Sequence, residues 1–379
     1  MESQKVFQIT HTDSKTKART GLLHTKSGTV KTPFFMPVAT KAAAKFINTP
    51  QLKEIGANVI ISNALILHLN PGEKLIKKLG GIRKFMNFHG INVTDSGGFQ
   101  MYSESIYLKS NDIGVHFKNP KNGDKIFMTP EKNMEIQLAI NSDIAMCLDS
   151  MPMYEESKTS IKEAVRLTTL WAQRCKIHHS KLQKLKPKNR QQLLFGITQG
   201  GIHPDLREQS IKDLAKLNFD GYSIGGFGLG ESWKEEMKIV KLQKSILPEN
   251  KPIYLMGIGS PIEILEAIGL GVDMFDSRLP TQNARRGTLF TSIGPLKLLN
   301  KKYEHSKDPI DKKCDCFVCQ NYTRAYIRFL LREQEPIGKE LASYHNLFFL
   351  TNIIQQARGH IKSNTFSKFK KDFIKSYKN

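Results

Sequence analysis

Eight short, largely apolar runs, most of them stopping at a polar residue or glycine, restrict this chain to few folds. They fall at 34–40, 58–63, 91–95, 143–149, 193–199, 221–226, 252–256 and 272–276, each of strand length. Between them, residues 161–178, 210–217, 232–247 and 261–270 repeat apolar positions at helical spacing. Strands alternating with helices form parallel sheets, because a helical crossover returns the chain to start the next strand in the same direction. Eight such units fit a closed (β/α)8 TIM barrel, and 379 residues suit a barrel of roughly 250 residues with insertions. A doubly wound open sheet is the competing α/β arrangement. No Gly-x-Gly-x-x-Gly follows an early strand to support it.

Outside the barrel pattern, residues 6–10 and 19–24 read as an antiparallel lid, and the polar stretch 102–129 as an insertion with a hairpin near Gly123. Residues 180–190 read as a lysine-rich loop. The expected division is a barrel with lid and insertions over 1–295, a helical zinc-binding part over 296–360, and a basic tail over 361–379 that frays at its end. With 57 Lys+Arg against 35 Asp+Glu, the net charge of +22 favours a polyanionic partner: RNA, DNA or an acidic membrane. Lysine placed on every solvated face is the plainer alternative, and charge alone does not choose. No apolar run is long enough to span a bilayer, and the residues after Met1 show no signal-peptide pattern, so a soluble cytoplasmic protein is expected.

Three of the five cysteines, Cys314, Cys316 and Cys319, lie close together, with His345 following in a helical stretch. Thiolates at this spacing, closed by a neutral imidazole, suit zinc, which prefers four N/S donors in a tetrahedron. Four protein ligands leave no open valence, so the ion would be structural. A loop of ordinary thiols is the alternative. Cys147 and Cys175 are isolated, which argues against a disulfide framework and for a reducing compartment.

The chemistry is therefore expected at the C-terminal ends of the strands, where such barrels gather reactive groups. Asp95, Asp149, Gln199, Gly226, Met256 and Asp276 fall there. A single strand-end aspartate often only caps a helix, but three carboxylates at one mouth repel one another and call for a functional reason. Phe99, within Asp95-Ser-Gly-Gly-Phe-Gln, is either a stacking platform for a planar base or an ordinary core ring. Asp149 and Gln199 offer an acceptor pair and an amide to a base edge, and Gly226 lets a base approach the main chain. Asp276 opens a segment carrying Arg285 and Arg286. A carboxylate so placed suits nucleophilic attack at an anomeric carbon, with Asp95 as the second acid that protonates the departing base.

These residues resemble the tRNA-guanine transglycosylases, or queuine tRNA-ribosyltransferases, over roughly 19–356. The resemblance rests on Asp95-Ser-Gly-Gly-Phe-Gln, Gly196-Ile-Thr-Gln-Gly-Gly, Phe219-Asp-Gly-Tyr-Ser-Ile-Gly-Gly, Tyr254-Leu-Met-Gly-Ile-Gly and Met274-Phe-Asp-Ser-Arg-Leu-Pro-Thr, with the cysteine motif and His345. It implies a (β/α)8 barrel that exchanges guanine at the wobble position, 34, of GUN-anticodon tRNAs for a 7-deazaguanine, in queuosine modification. It implies Asp276 as nucleophile and Asp95 as general acid/base. It further implies base contacts from Asp95, Ser96, Gly97, Gly98, Phe99, Asp149, Gln199, Gly226 and Met256. RNA contacts would come from Gly257, Gly259, Ser260, Glu263, Thr281, Gln282, Asn283, Ala284 and Arg285. Cys314, Cys316, Cys319 and His345 match zinc ligands, and a homodimer is expected. An archaeosine-type enzyme acting elsewhere in the tRNA, or a non-catalytic RNA-binding paralogue, are the alternatives on the same barrel.

The chain departs from the family pattern at Ala64-Leu65-Ile66, at Gln282 where an arginine is usual, at Phe227-Gly228-Leu229 and at Met151. A bulky Leu229 argues for a small incoming base such as 7-aminomethyl-7-deazaguanine, while Gly228 argues for more room. The small base is the expectation.

Overall fold

The structure, a computed structural model, describes residues 5–152, 156–228 and 230–377. All eight expected strands form. They are β1 (Phe34–Pro37), β2 (Val59–Asn63), β3 (Ile91–Asp95), β4 (Ile144–Met146), β5 (Leu193–Thr198), β6 (Gly221–Ile224), β7 (Ile253–Leu255) and β8 (Met274–Ser277). Neighbours pair in parallel in the order β1-β8-β7-β6-β5-β4-β3-β2. A further parallel bridge, Val38 to Ile61, joins β1 to β2 and closes the ring. The sheet is thus a barrel rather than a doubly wound layer. The β4 ladder stops at Met146, and residues 147–149 run on past it into the mouth.

Side chains alternate along each strand. The inward set, including Met36, Ile61, Val93, Met146, Phe195, Tyr254 and Met274, forms one buried core with Phe7, Leu23 and Val30. Those last three belong to an N-terminal antiparallel sheet, Phe7–Thr12, Arg19–Thr25 and Gly28–Thr32, that plugs the bottom of the barrel. The sequence pattern gave two of its strands. The third, Gly-Thr-Val-Lys-Thr, has a single buried apolar residue and no run to detect. Arg19 ties this sheet to the barrel floor through a buried ion pair with Asp273 at 2.5 Å.

The insertion is a three-stranded antiparallel sheet, Tyr107–Ser110, Val115–Lys118 and Lys125–Met128. The long helix Pro336–Lys362 packs against the helix Leu279–Arg285 that follows β8. Beyond it the expected fraying end is instead a helix, Phe366–Tyr377. Phe366, Phe369, Phe373 and Tyr377 share one face at helical spacing, and Phe366 and Tyr377 are buried there. The apolar stripe, and not the lysine content, decides the conformation. Among the described residues no helix is long and apolar enough to cross a membrane.

Candidate active site and metal centre

The C-terminal ends of the strands surround a cavity of about 770 Å³ lined by Asp95, Asp149 and Asp276 together. Asp95 ends β3, where its register partner is Asn63 of β2. Its Oδ1 accepts from Asn63 Nδ2 at 2.7 Å and from Gly97 N–H at 2.8 Å. Asn63 in turn caps the helix Ala64–Leu69 by accepting from Ile66 N–H at 2.8 Å, and it also donates to Gln100 at 2.7 Å. Gly97 sits at φ +82, where a Cβ would lie 2.3 Å from that of Leu65. Only glycine allows the turn that aims the amide at Asp95. Burial and the negative charge of Asp276 push the Asp95 carboxyl up to about 7, against the pull of these two hydrogen bonds.

Asp276 is held differently. Tyr254 Oη donates to its Oδ1 at 2.5 Å, and Gly257 N–H donates to the same oxygen at 2.9 Å. Among the described residues no protein group bonds Oδ2. Burial raises this carboxyl too, while both donors favour its charged form. One acid is thus fixed as an acceptor, and its neighbour sits near neutrality, poised to carry a proton.

Asp149 lies behind the pair. Gln199 Nε2 donates to its Oδ2 at 2.7 Å and Ser96 Oγ to its Oδ1 at 3.4 Å, while burial lifts it to about 6. A Cβ on Gly98 would stand 2.5 Å from Asp149 Oδ1, and one on Gly226, at φ +73, 2.5 Å from Gln199 Oε1. Both glycines therefore keep the floor of the cavity open. Phe99 is 47% exposed at the rim, so it is a free ring face and not a core aromatic. Met256 and Met151 complete the apolar wall.

Of the residues expected to meet RNA, Gly257, Gly259, Glu263 and Gln282 line the same cavity. Ser260 stands at the start of the helix Pro261–Gly269. Asn283 and Arg285 are half-buried on Leu279–Arg285, whereas Thr281 and Ala284 are buried on its inner face. Those two can act only by setting the helix. Ala64, Leu65 and Ile66 form the first turn behind Asn63 and do not line the cavity. Leu229, on which the size of the incoming base was argued, lies outside the described residues.

Several site residues had escaped the sequence reading. Tyr254 lies two positions before Met256 on β7, so it shares the inward face, a signal that strand alternation could have given. Glu231 and Glu236 also line the cavity, and Gly228 N–H donates to both, at 2.6 and 3.2 Å. Burial and the adjacent Glu231 carboxyl push Glu236 up to about 8. Nothing in the local pattern marks these two, because they follow a loop and not a strand.

Away from the mouth, Cys314, Cys316, Cys319 and His345 bring one ligand atom each to within 4.8 Å of all the others. The three Sγ atoms lie 3.9, 3.5 and 3.4 Å from His345 Nδ1. A tetrahedron with metal–sulfur and metal–nitrogen bonds of about 2.3 and 2.1 Å places such atoms ~3.6 Å apart. His345 Nε2 donates to Phe290 O at 2.7 Å, which leaves Nδ1 free as the ligand. The donor set fits a closed, structural metal site. Next in sequence, Asn346 donates to Pro280 O and Thr288 O at 2.9 and 3.1 Å, so the metal-bearing helix also clamps the segment after Asp276.

A closed barrel with two unlike carboxylates at one mouth, a third acid and an amide beneath them, and a sealed Cys3His cluster defines a glycosyl-transferring class of site. Comparison with known proteins places it further. The family described as queuine tRNA-ribosyltransferase matches residues 13–379. The chain is 46% identical over 371 residues to the queuine tRNA-ribosyltransferase of Listeria monocytogenes serotype 4b, covering 98% of this chain and 96% of that one. The protein of the same description from Bacillus licheniformis is 46% identical over 365 residues, 96% and 93% of the two chains. That of Thermoanaerobacter sp. is 45% identical over 371 residues, 98% and 97%. The chain belongs to the queuine tRNA-ribosyltransferase family.

Proposed function

We propose that the protein is a tRNA-guanine transglycosylase that exchanges guanine in tRNA for a 7-deazaguanine, with Asp276 and Asp95 as the two catalytic acids. The observation that carries this is the unlike setting of those carboxylates across one cavity. In the first displacement an oxygen of Asp276 bonds to C1′ of the target ribose as the bond from C1′ to guanine breaks. Asp95, protonated at the start, gives its proton to the departing base. The incoming base then loses a proton to Asp95 and attacks C1′, the ester to Asp276 breaks, and two inversions leave net retention. A carboxyl near 7 serves both halves, since it can be acid in one and base in the other.

Asp149, Gln199, Ser96 and the backbone around Gly226 would read the base edge, with Gly97, Gly98 and Met256 shaping its slot and Phe99 offering a face at the rim. Gly257, Gly259, Glu263 and Gln282 line the mouth where the anticodon loop would lie, and the net charge of +22 suits that polyanion. Position 34 of GUN-anticodon tRNAs is the proposed target. Glu231, Glu236 and Glu263 give the far wall an acidic character that suits a cationic substituent, consistent with 7-aminomethyl-7-deazaguanine as the incoming base. The Cys3His cluster would hold zinc, which fastens the end of the chain and takes no part in the exchange.

The division into 1–295, 296–360 and 361–379 is retained as a proposal, as are a cytoplasmic setting and a homodimer. Exposed aromatic surface beside the metal centre, Phe317, Tyr326 and Phe329, supports the dimer. The test is release of labelled guanine from tRNA on addition of a 7-deazaguanine. No release at any protein concentration contradicts the proposal. Competition among 7-deazaguanines, with mapping of the exchanged nucleotide, settles base and position.

A further inference from the structure

The loop that follows β6, residues 225–228, carries the glycine nearest Gln199, yet it is not held by sheet pairing beyond Gly225 N–H on Thr198 O at 3.1 Å. Gly228 N–H donates to Glu231 and Glu236, and the part from Gly225 to Phe227 is fixed by a buried cation. Arg207 lies on the helix Pro204–Lys216, is fully buried, and reaches back under the cavity floor. Its Nη1 donates to Gly225 O at 2.8 Å and Thr198 O at 3.2 Å, and its Nε donates to Gly201 O at 2.7 Å. The guanidinium carbon stands 4.4 Å from the centre of the Phe227 ring. One planar group therefore joins the end of β5, the turn after Gln199 and the loop after β6.

Two further features show how tightly this is fitted. A Cβ on Gly200 would lie 2.8 Å from the Arg207 backbone nitrogen. Ser210, one turn along the same helix, accepts from Gln199 N–H at 3.0 Å. The helix thus sets Gln199 and the 225–227 loop together. No carboxylate forms an ion pair with Arg207 among the described residues, and its Nη2 is buried without an acceptor beside Gly226. A guanidinium buried this deeply costs stability, offset in part by the nearby Glu231 and Glu236 carboxyls, and a purely structural anchor could avoid that cost with a neutral side chain. A fixed fork that matches three carbonyls at once is what arginine alone supplies.

We propose that Arg207 is a positioning residue for the incoming base, acting through the main chain of residues 225–227 and through Gln199 without touching the base. This rests on the exchange reaction described above, and Arg207 has no part in bonding to the ribose or moving the proton.

The test is guanine exchange into tRNA, with KM for guanine and KM for tRNA measured separately for wild type, Arg207→Lys and Arg207→Met, and the active fraction titrated as covalent RNA adduct. Losing a charged donor to these carbonyls should raise KM for guanine ~10- to 100-fold in Arg207→Met, and less in Arg207→Lys. KM for tRNA should stay within about twofold of wild type, since the RNA-facing segments are untouched. A lower active fraction with an unmoved KM for guanine overturns the proposal in favour of a structural anchor. Failure of both variants to fold does the same. If only Arg207→Met fails, the lysine variant decides by the same two constants. Absence of exchange in wild type removes the reaction itself, so the two failures are distinguishable.

Discussion

Asn63 is the most informative perturbation of the proton balance between the two acids. Asn63→Ser keeps an oxygen able to cap the helix Ala64–Leu69 but is too short to donate to Asp95. The lost bond, 2.7 Å from amide to carboxylate, favours the charged form of Asp95, so its removal raises that carboxyl further. A hydrogen bond to a charged group contributes ~1.5–3 kcal/mol, and one pKa unit corresponds to about 1.4 kcal/mol, so the shift should be about 1–2 units. The first displacement needs Asp276 charged and Asp95 protonated in the free enzyme, so kcat/KM for tRNA should rise and fall with pH. Its alkaline limb lies near 7 in wild type, where Asp95 gives up its proton. The two limbs belong to the pair, and the upper one is assigned to Asp95 because the charge of Asp276 helps hold its proton. In Asn63→Ser that limb should move to about 8–9, because a less stabilised anion keeps its proton to higher pH. The assay is exchange of labelled guanine into tRNA, with tRNA varied at saturating guanine, between about pH 5 and 10 at fixed ionic strength. A limb that stays put, or moves to lower pH, refutes the assignment of Asp95.

Other consequences follow from the same geometry. The folded Asp95 titrates near 7, above the unfolded value of 3.8, so its contribution to stability is lost as pH rises between those values. Asp95→Asn should therefore stabilise the protein by about 2–4 kcal/mol at pH 8 and by progressively less toward pH 4, read by urea unfolding at several pH values, while exchange disappears. Gly226→Ala meets both a positive φ and Gln199 Oε1 at 2.5 Å, so guanine binding measured by calorimetry should weaken by at least ~10-fold with tRNA binding retained. Metal analysis should return one zinc per chain, and stripping it with a chelator should lower Tm by about 5–15 °C through release of the segment clamped by His345 and Asn346.

The barrel was legible because each strand is a short apolar run with a polar end, and those ends are where Asp95, Asp149 and Asp276 converge. The cysteine spacing likewise carried the metal cluster, since chelation demands donors within a few ångströms and a tight loop supplies them. What could not be read was any role set by contact across elements. Asn63 orients Asp95 only because β2 and β3 register them side by side. Arg207 reads as one more cation on an amphipathic helix until the fold turns it inward. Thr281 and Ala284 went the other way: both sit in a motif associated with RNA, but the helix Leu279–Arg285 turns them inward. The terminal helix shows a conflict within the sequence itself, where four aromatics at helical spacing outweigh five lysines over 366–379.

The central claim is that an oxygen of Asp276 bonds to the ribose while Asp95 moves the proton. Protein mixed with tRNA in the absence of an incoming base, then denatured and resolved by mass spectrometry after nuclease digestion, tests it directly. The account predicts an RNA adduct on the peptide containing Asp276, absent in Asp276→Asn and dissolved by added guanine in wild type. An adduct that persists in Asp276→Asn, or maps to another residue, contradicts it.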